Sequence, residues 1–252
     1  MSHDRLPSHL ESQPILEAIF EIRVDSISQP LAAVLPGALV LLFPDRKSKF
    51  ERLPASMMPD AIRQNDSNFA WQPLVKVTMD GYSYLIGDRV VTFACKIPYP
   101  GWSVFKNRIM ELLNVFVSKL QSVSEISRYS MKYIDFIPGD DVSKLRQLVA
   151  LEVAVGTHKI LSDPLTIRAE IREDKYVKLI SISAPAQIQK PGSPTQTGVV
   201  TDIDLIANTP TNLSSLLESN GELLDSIHAR SKEAFFDVLT PQALVDLGAK
   251  YD

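Results

Sequence analysis

The chain has 252 residues, 45% of them hydrophobic and 22% charged, a balance that supports a sizeable core and excludes disordered and fibrous classes. A net charge of −4 speaks against the basic footprint that nucleic acid demands. The longest apolar run, Ala38-Leu39-Val40-Leu41-Leu42-Phe43, falls far short of the roughly 20 residues of a membrane span. The beginning of the chain lacks a charged-then-apolar signal pattern, and the single cysteine, Cys95, cannot form an internal disulfide; a soluble cytoplasmic protein is expected.

In residues 14–25, Leu16, Ala18, Phe20, Ile22 and Val24 alternate with Glu17, Glu21, Arg23 and Asp25, which predicts a half-buried strand. Pro30, Pro36, Pro44, Pro54 and Pro59 then punctuate a region expected to hold only short helices. Within it Asp45-Arg46-Lys47-Ser48-Lys49 reads as a solvated loop. A hairpin is predicted over 74–79 and 82–87 around Asp80-Gly81, a pair that accepts the positive φ of a tight turn. Val90–Cys95 supplies a third strand. A helix follows from Trp102, with Phe105, Ile109, Leu112, Leu113, Phe116 and Leu120 at spacings of three and four. Arg128–Ile137 returns to strand and stops at Pro138-Gly139.

Asp140 or Asp141 is a candidate N-cap for a short helix carrying Leu145, Leu148 and Val149. Leu165–Glu173 and Tyr176–Ala184 read as a second hairpin, residues 185–198 as a long loop, and Val199–Ala207 as the returning strand. Leu213–Leu239 is predicted as one helix with Leu217, Leu224, Ile227, His228 and Phe235 along its apolar stripe. Thr240-Pro241 starts a terminal helix that Gly248 stops. The expected fold class is α+β, with antiparallel sheet or sheets backed by two long helices. Each half has a hairpin, a third strand and a long helix, so a duplicated strand-strand-strand-helix unit is expected. Its halves, 1–139 and 140–252, would pack as one globular body.

Several side chains invite a functional reading. Glu17, Glu21 and Arg23 share the polar side of the first strand and would serve either as a partner surface or as a charge ladder with Arg128 and Lys132. Asp202 and Asp204, two apart on one strand face, suit a metal or an acid/base pair; pairing with Arg168 or Arg172 is the plainer account. His228 on an apolar stripe suits a general base or a packed imidazole. Trp102 suits a ligand platform or core packing, and Cys95 a buried hydrophobe more than a nucleophile. His3, His9 and His158 lack the spacing of a zinc site. No phosphate loop, dinucleotide fingerprint or nucleophile elbow occurs, and nothing calls for a cofactor. Arg46, Lys47, Lys49 and Arg52 are the candidate basic set for nucleic acid, which ranks last.

Four stretches together carry a family resemblance. They are Pro14-Ile15-Leu16-Glu17-Ala18-Ile19-Phe20-Glu21-Ile22-Arg23, Tyr99-Pro100-Gly101-Trp102 with Phe105, Arg128–Ile137, and Asp202-Ile203-Asp204 with His228, Phe235 and Thr240. This pattern resembles a sporadically distributed bacterial family with an opening P-x-x-E-A-I-x-E-I-R signature and a Y-x-G-W-x-x-F motif. The family has no assigned activity, so the resemblance implies no catalytic residues. Patchy distribution is common among accessory genes, including phage-defence and toxin–antitoxin genes. The expectation is therefore a non-catalytic, protein-binding accessory or antitoxin-like protein. Its partner would be another protein, a genomic neighbour being the natural candidate; homo-oligomerisation stays open and no membrane is involved. The competing expectation is an enzyme or small-molecule sensor with a pocket between the halves, built on His228 with Asp202 and Asp204.

Overall fold

The alternation of residues 14–25 is realised as strand β1, Ile15–Arg23, whose Ala18, Phe20 and Ile22 are fully buried. The structure is a computed structural model describing residues 6–25, 28–66, 69–120, 123, 125–139, 141–189 and 192–251; His3 and Asp140 lie outside them. After β1 come helix α1, Leu31–Leu42, edge strand β2, Ser48–Arg52, and helix α2, Asp60–Asn65. A meander follows: β3 Pro73–Met79, β4 Tyr82–Gly87 and β5 Val90–Lys96, then helix α3, Trp102–Lys119. Strand β6, Arg128–Pro138, leads through a 3-10 turn at Val142–Leu148 to a second meander. Its strands are β7 Leu165–Glu173, β8 Tyr176–Ile188 and β9 Gln196–Ala207. Helices α4, Leu213–Leu217, α5, Glu222–Asp237, and α6, Pro241–Asp246, complete the order.

These nine strands form one antiparallel sheet in the order β7-β8-β9-β6-β1-β5-β4-β3-β2. The first strand is central, with a neighbour on each side. It pairs with β5 on one side and β6 on the other, setting Phe20 opposite both Phe93 and Met131. Hydrophobic parity fixes which face is buried. Phe20, Phe93, Tyr84, Met131 and Leu205 line the face on which α1, α3 and α5 rest their own apolar residues. Phe93 stacks on Phe105 of α3 with centroids 5.4 Å apart. A second apolar cluster gathers Ile137, Val199 and Ile182 of the sheet with Leu145, Leu148, Phe236 and Leu244.

Four expectations are corrected. The proline-punctuated region holds a 12-residue helix, α1, with Pro36 inside it, because Leu31, Leu35 and Leu39 bury against the sheet and outweigh the missing N–H. The supposed loop around Arg46 runs into strand β2. Arg46 itself is clamped by Glu111 at 2.9 and 3.0 Å and lies 3.3 Å from Asp80. The helix over 213–239 is broken by Ser219, Asn220 and Gly221, all at positive φ. Finally, the loop after Ala184 is shorter than residues 185–198, since β8 runs to Ile188 and β9 begins at Gln196. No helix among the described residues is long and apolar enough to cross a membrane.

Candidate functional site: a cleft between the two apolar clusters

Along β6 the inward residues are Tyr129, Met131, Tyr133, Asp135 and Ile137, all buried. Tyr133 belongs to the first apolar cluster and Ile137 to the second, so a carboxyl group separates them. Over this point lies a cleft of about 250 Å³. Its floor comes from Tyr133 and Asp135, one wall from His228, Ser231, Lys232 and Phe235 of α5, and another from Tyr99 and Trp102 where α3 begins. The opposite wall is the segment Ser8–Ile15, held in place by pairing of His9 and Leu10 with Lys250 and Ala249.

Aromatic contacts and hydrogen bonds tie these walls together. Trp102 stacks flat on His228, centroids 4.1 Å apart and planes 9° apart. Its indole N–H donates to Asp225 Oδ1 at 2.8 Å, while Lys106 Nζ donates to Asp225 Oδ2 at 2.6 Å. The ring face of His228 is therefore committed to Trp102, and its Nδ1 is 3.0 Å from Tyr133 Oη. Tyr133 Oη in turn lies 3.4 Å from Tyr99 Oη. Lys232 Nζ donates to the Ser8 carbonyl at 3.2 Å.

Burial sets the charge states. It pushes the Asp135 carboxyl up to about 8, with Asp202 on the neighbouring strand adding to it. It draws His228 down to about 4, helped by Lys232, and lifts the Tyr99 hydroxyl to about 12. Near neutrality the floor is thus a neutral acid beside a neutral imidazole. Asp135 is 2% exposed and Ser231 is 2% exposed; neither Asp135 Oδ2 nor Ser231 Oγ has a hydrogen-bond partner, and Thr201 Oγ1, opposite Asp135 across β9, is likewise unpartnered. Buried polar atoms without partners are costly.

The residues singled out from sequence separate onto two faces. Trp102 and His228 meet in the cleft. Glu21, Arg23, Arg128, Asp202 and Asp204 lie on the opposite sheet face, where Glu21 pairs with Arg23 at 2.8 Å and Arg128 at 3.8 Å. Glu17 sits across from Lys96 on β5. Asp202 pairs with Lys132 at 2.7 Å and Asp204 with Arg128 at 3.9 Å, rather than with Arg168 or Arg172, because β8 intervenes. Asp202 and Asp204 therefore do not join His228. Cys95 is buried, and burial, with Glu17 nearby, raises its thiol. No group of three or more metal-ligating side chains occurs among the described residues.

Tyr133, Asp135, Ser231 and Lys232 were not singled out from sequence, although a signal existed for two of them. Asp135 stands on the apolar parity of its strand, and Ser231 continues the stripe through His228 and Phe235. The fold and site define an α+β protein with an aromatic-walled cleft above a buried acid. Compared with known proteins, the chain matches no family model and no curated protein.

Proposed function

We propose that this protein binds a small molecule in the cleft under α5, as a sensor or carrier. One observation carries the reading: an aromatic-walled cleft is floored by Asp135 and Ser231, buried polar groups whose Oδ2 and Oγ have no protein partner. Ligand sites combine such apolar walls with a few convergent polar groups. The Trp102–His228 stack supports it, since it holds two of the lining rings in place against each other. We further read the chain as duplicated. Each of β1 and β6 is followed by an excursion, a three-stranded meander and a long helix, an order that supports the reading with the second unit starting at β6 rather than at residue 140; residues from both 1–139 and 140–252 line the cleft.

The protein-partner reading drawn from the family resemblance would use the opposite sheet face. There the charges of Glu21, Arg23, Arg128, Asp204, Lys132 and Asp202 are engaged with one another, which favours the cleft over that face. A thermal-melt screen with small amines, acids, nucleosides and aromatic alcohols tests the proposal. A ligand at a hundred times its Kd adds about 2.7 kcal/mol, and each kcal/mol moves the melt of a chain this long by about 2–4 °C. Hits are expected to raise Tm in the native chain and to lose the effect in Ser231→Phe, which fills the cleft. The reading fails if no compound shifts the melt, or if Ser231→Phe responds equally.

A further inference from the structure

Among the described residues, the carboxyl of Asp135 forms no ion pair with a cation. The basic side chains of its own strand are engaged on the far face, Lys132 with Asp202 and Arg128 with Glu21 and Asp204. Lys232, the one cation among the cleft-lining residues, directs its ammonium to the Ser8 carbonyl. A buried carboxyl without a counterion sits here among the rings of Tyr99, Trp102, Tyr133 and Phe235. Both features complement the same chemistry. A carboxylate makes its strongest hydrogen bonds with an ammonium N–H, and aromatic faces attract a desolvated cation.

Resting on the small-molecule reading above, we infer that the cleft takes a small organic amine, bound as its ammonium ion to Asp135 with its apolar body against the aromatic walls. The volume of about 250 Å³ matches roughly eight waters at about 30 Å³ each, so the body is a single ring or a short chain. The amine's N–H groups satisfy Asp135 Oδ2, and Ser231 Oγ stands on the facing wall as a second acceptor.

Binding is linked to a proton. In the empty cleft the acid is held neutral up to about pH 8, so an ammonium ion that binds the carboxylate displaces its proton to solvent. Below that pH the Kd rises about tenfold per unit. The other titratable groups lining the cleft are Tyr133 and Tyr99, both raised by burial, His228, held near 4, Lys232 on α5, and His9 in the opposite wall. Thr201 on β9 stands beside Asp135, and Asp202 acts from the far face, paired with Lys132.

Calorimetry of the full chain against benzylamine, benzyl alcohol and benzoate compares a cation, a neutral molecule and an anion on one ring. Benzylamine is expected to bind tightest, to tighten about tenfold from pH 6 to pH 7, and to release a proton. Asp135→Asn, checked for folding by circular dichroism, is expected to abolish both the preference for the amine and the pH slope, whereas His158→Gln, on an exposed hairpin away from the cleft, keeps both. Equal or tighter binding of the alcohol or benzoate, or a preference that survives Asp135→Asn, overturns the amine inference and leaves the cleft as a small-molecule site. Failure of all three probes also overturns it; the library melt then decides separately whether the cleft binds anything.

Discussion

Asp135 and His228 give the stability curve a shape that neither would give alone. Asp135 is raised from 3.8 to about 8, so the folded chain holds a proton that the unfolded chain has lost. Its contribution to stability therefore falls as pH rises from about 4 to about 8. His228 is lowered from 6.5 to about 4. There the unfolded chain takes up the proton, so stability falls as pH drops from about 6.5 to about 4. Each slope is at most about 1.4 kcal/mol per pH unit. The two oppose each other below about pH 6.5, and Asp135 stands alone above it. Urea unfolding across a pH series is expected to show stability falling between pH 6.5 and 8, with Asp135→Asn flattening that limb. His228→Gln should extend the fall down toward pH 4. A native curve that is flat from pH 6.5 to 8, and untouched by Asp135→Asn, contradicts this account. The sequence displayed His228 on its stripe and Trp102 at its helix entrance. Their stacking joins α3 to α5, and the acid near them stands on β6, proximities that no local signal records.

At the scale of elements, local signals were accurate where one physical cause dominates. The Asp80-Gly81 turn forms with φ of 51° and 81°, and Thr240 caps α6 by accepting from the Ala243 N–H at 3.2 Å. Misreadings arose where a tertiary contact overrides a local preference. At Gly221 the positive φ breaks the helix, and an added Cβ would lie 3.0 Å from both Lys106 Cε and Met110 Sδ on α3. Ser219-Asn220-Gly221 is itself a run of turn-forming residues, hidden by the apolar positions either side of it. A glycine with no turn role matters as much. Gly198 in β9 faces Pro138 of β6, and a Cβ there would clash with the Ile137 carbonyl oxygen and meet the Phe136 ring at 2.7 Å. Because a backbone atom is involved, Gly198→Ala is expected to destabilise by about 1–3 kcal/mol, read from denaturant midpoints. A loss of less than a few tenths would mean that β6 yields more readily than its pairing indicates.

For the molecule as a whole, the α+β class and the antiparallel pairing were legible because hairpins declare themselves over short stretches of chain. The order of strands was not, since no local signal records that Phe20 lies beside Met131. That seam between β1 and β6 holds a consequence for how the chain reaches its structure. The two meanders close across short turns, whereas the seam must bring together segments more than a hundred residues apart in the chain, and distant closures are slow. The expected order is meanders early and seam late. In refolding followed by pulsed hydrogen exchange, amides of β3–β4 and β7–β8 should gain protection before those pairing β1 with β6; simultaneous protection throughout would contradict it. Asp135 sits on the seam strand, opposite Ile15 of β1. The floor of the cleft is therefore assembled by the slowest step, and a molecule arrested with both meanders formed would be well ordered yet unable to hold a ligand.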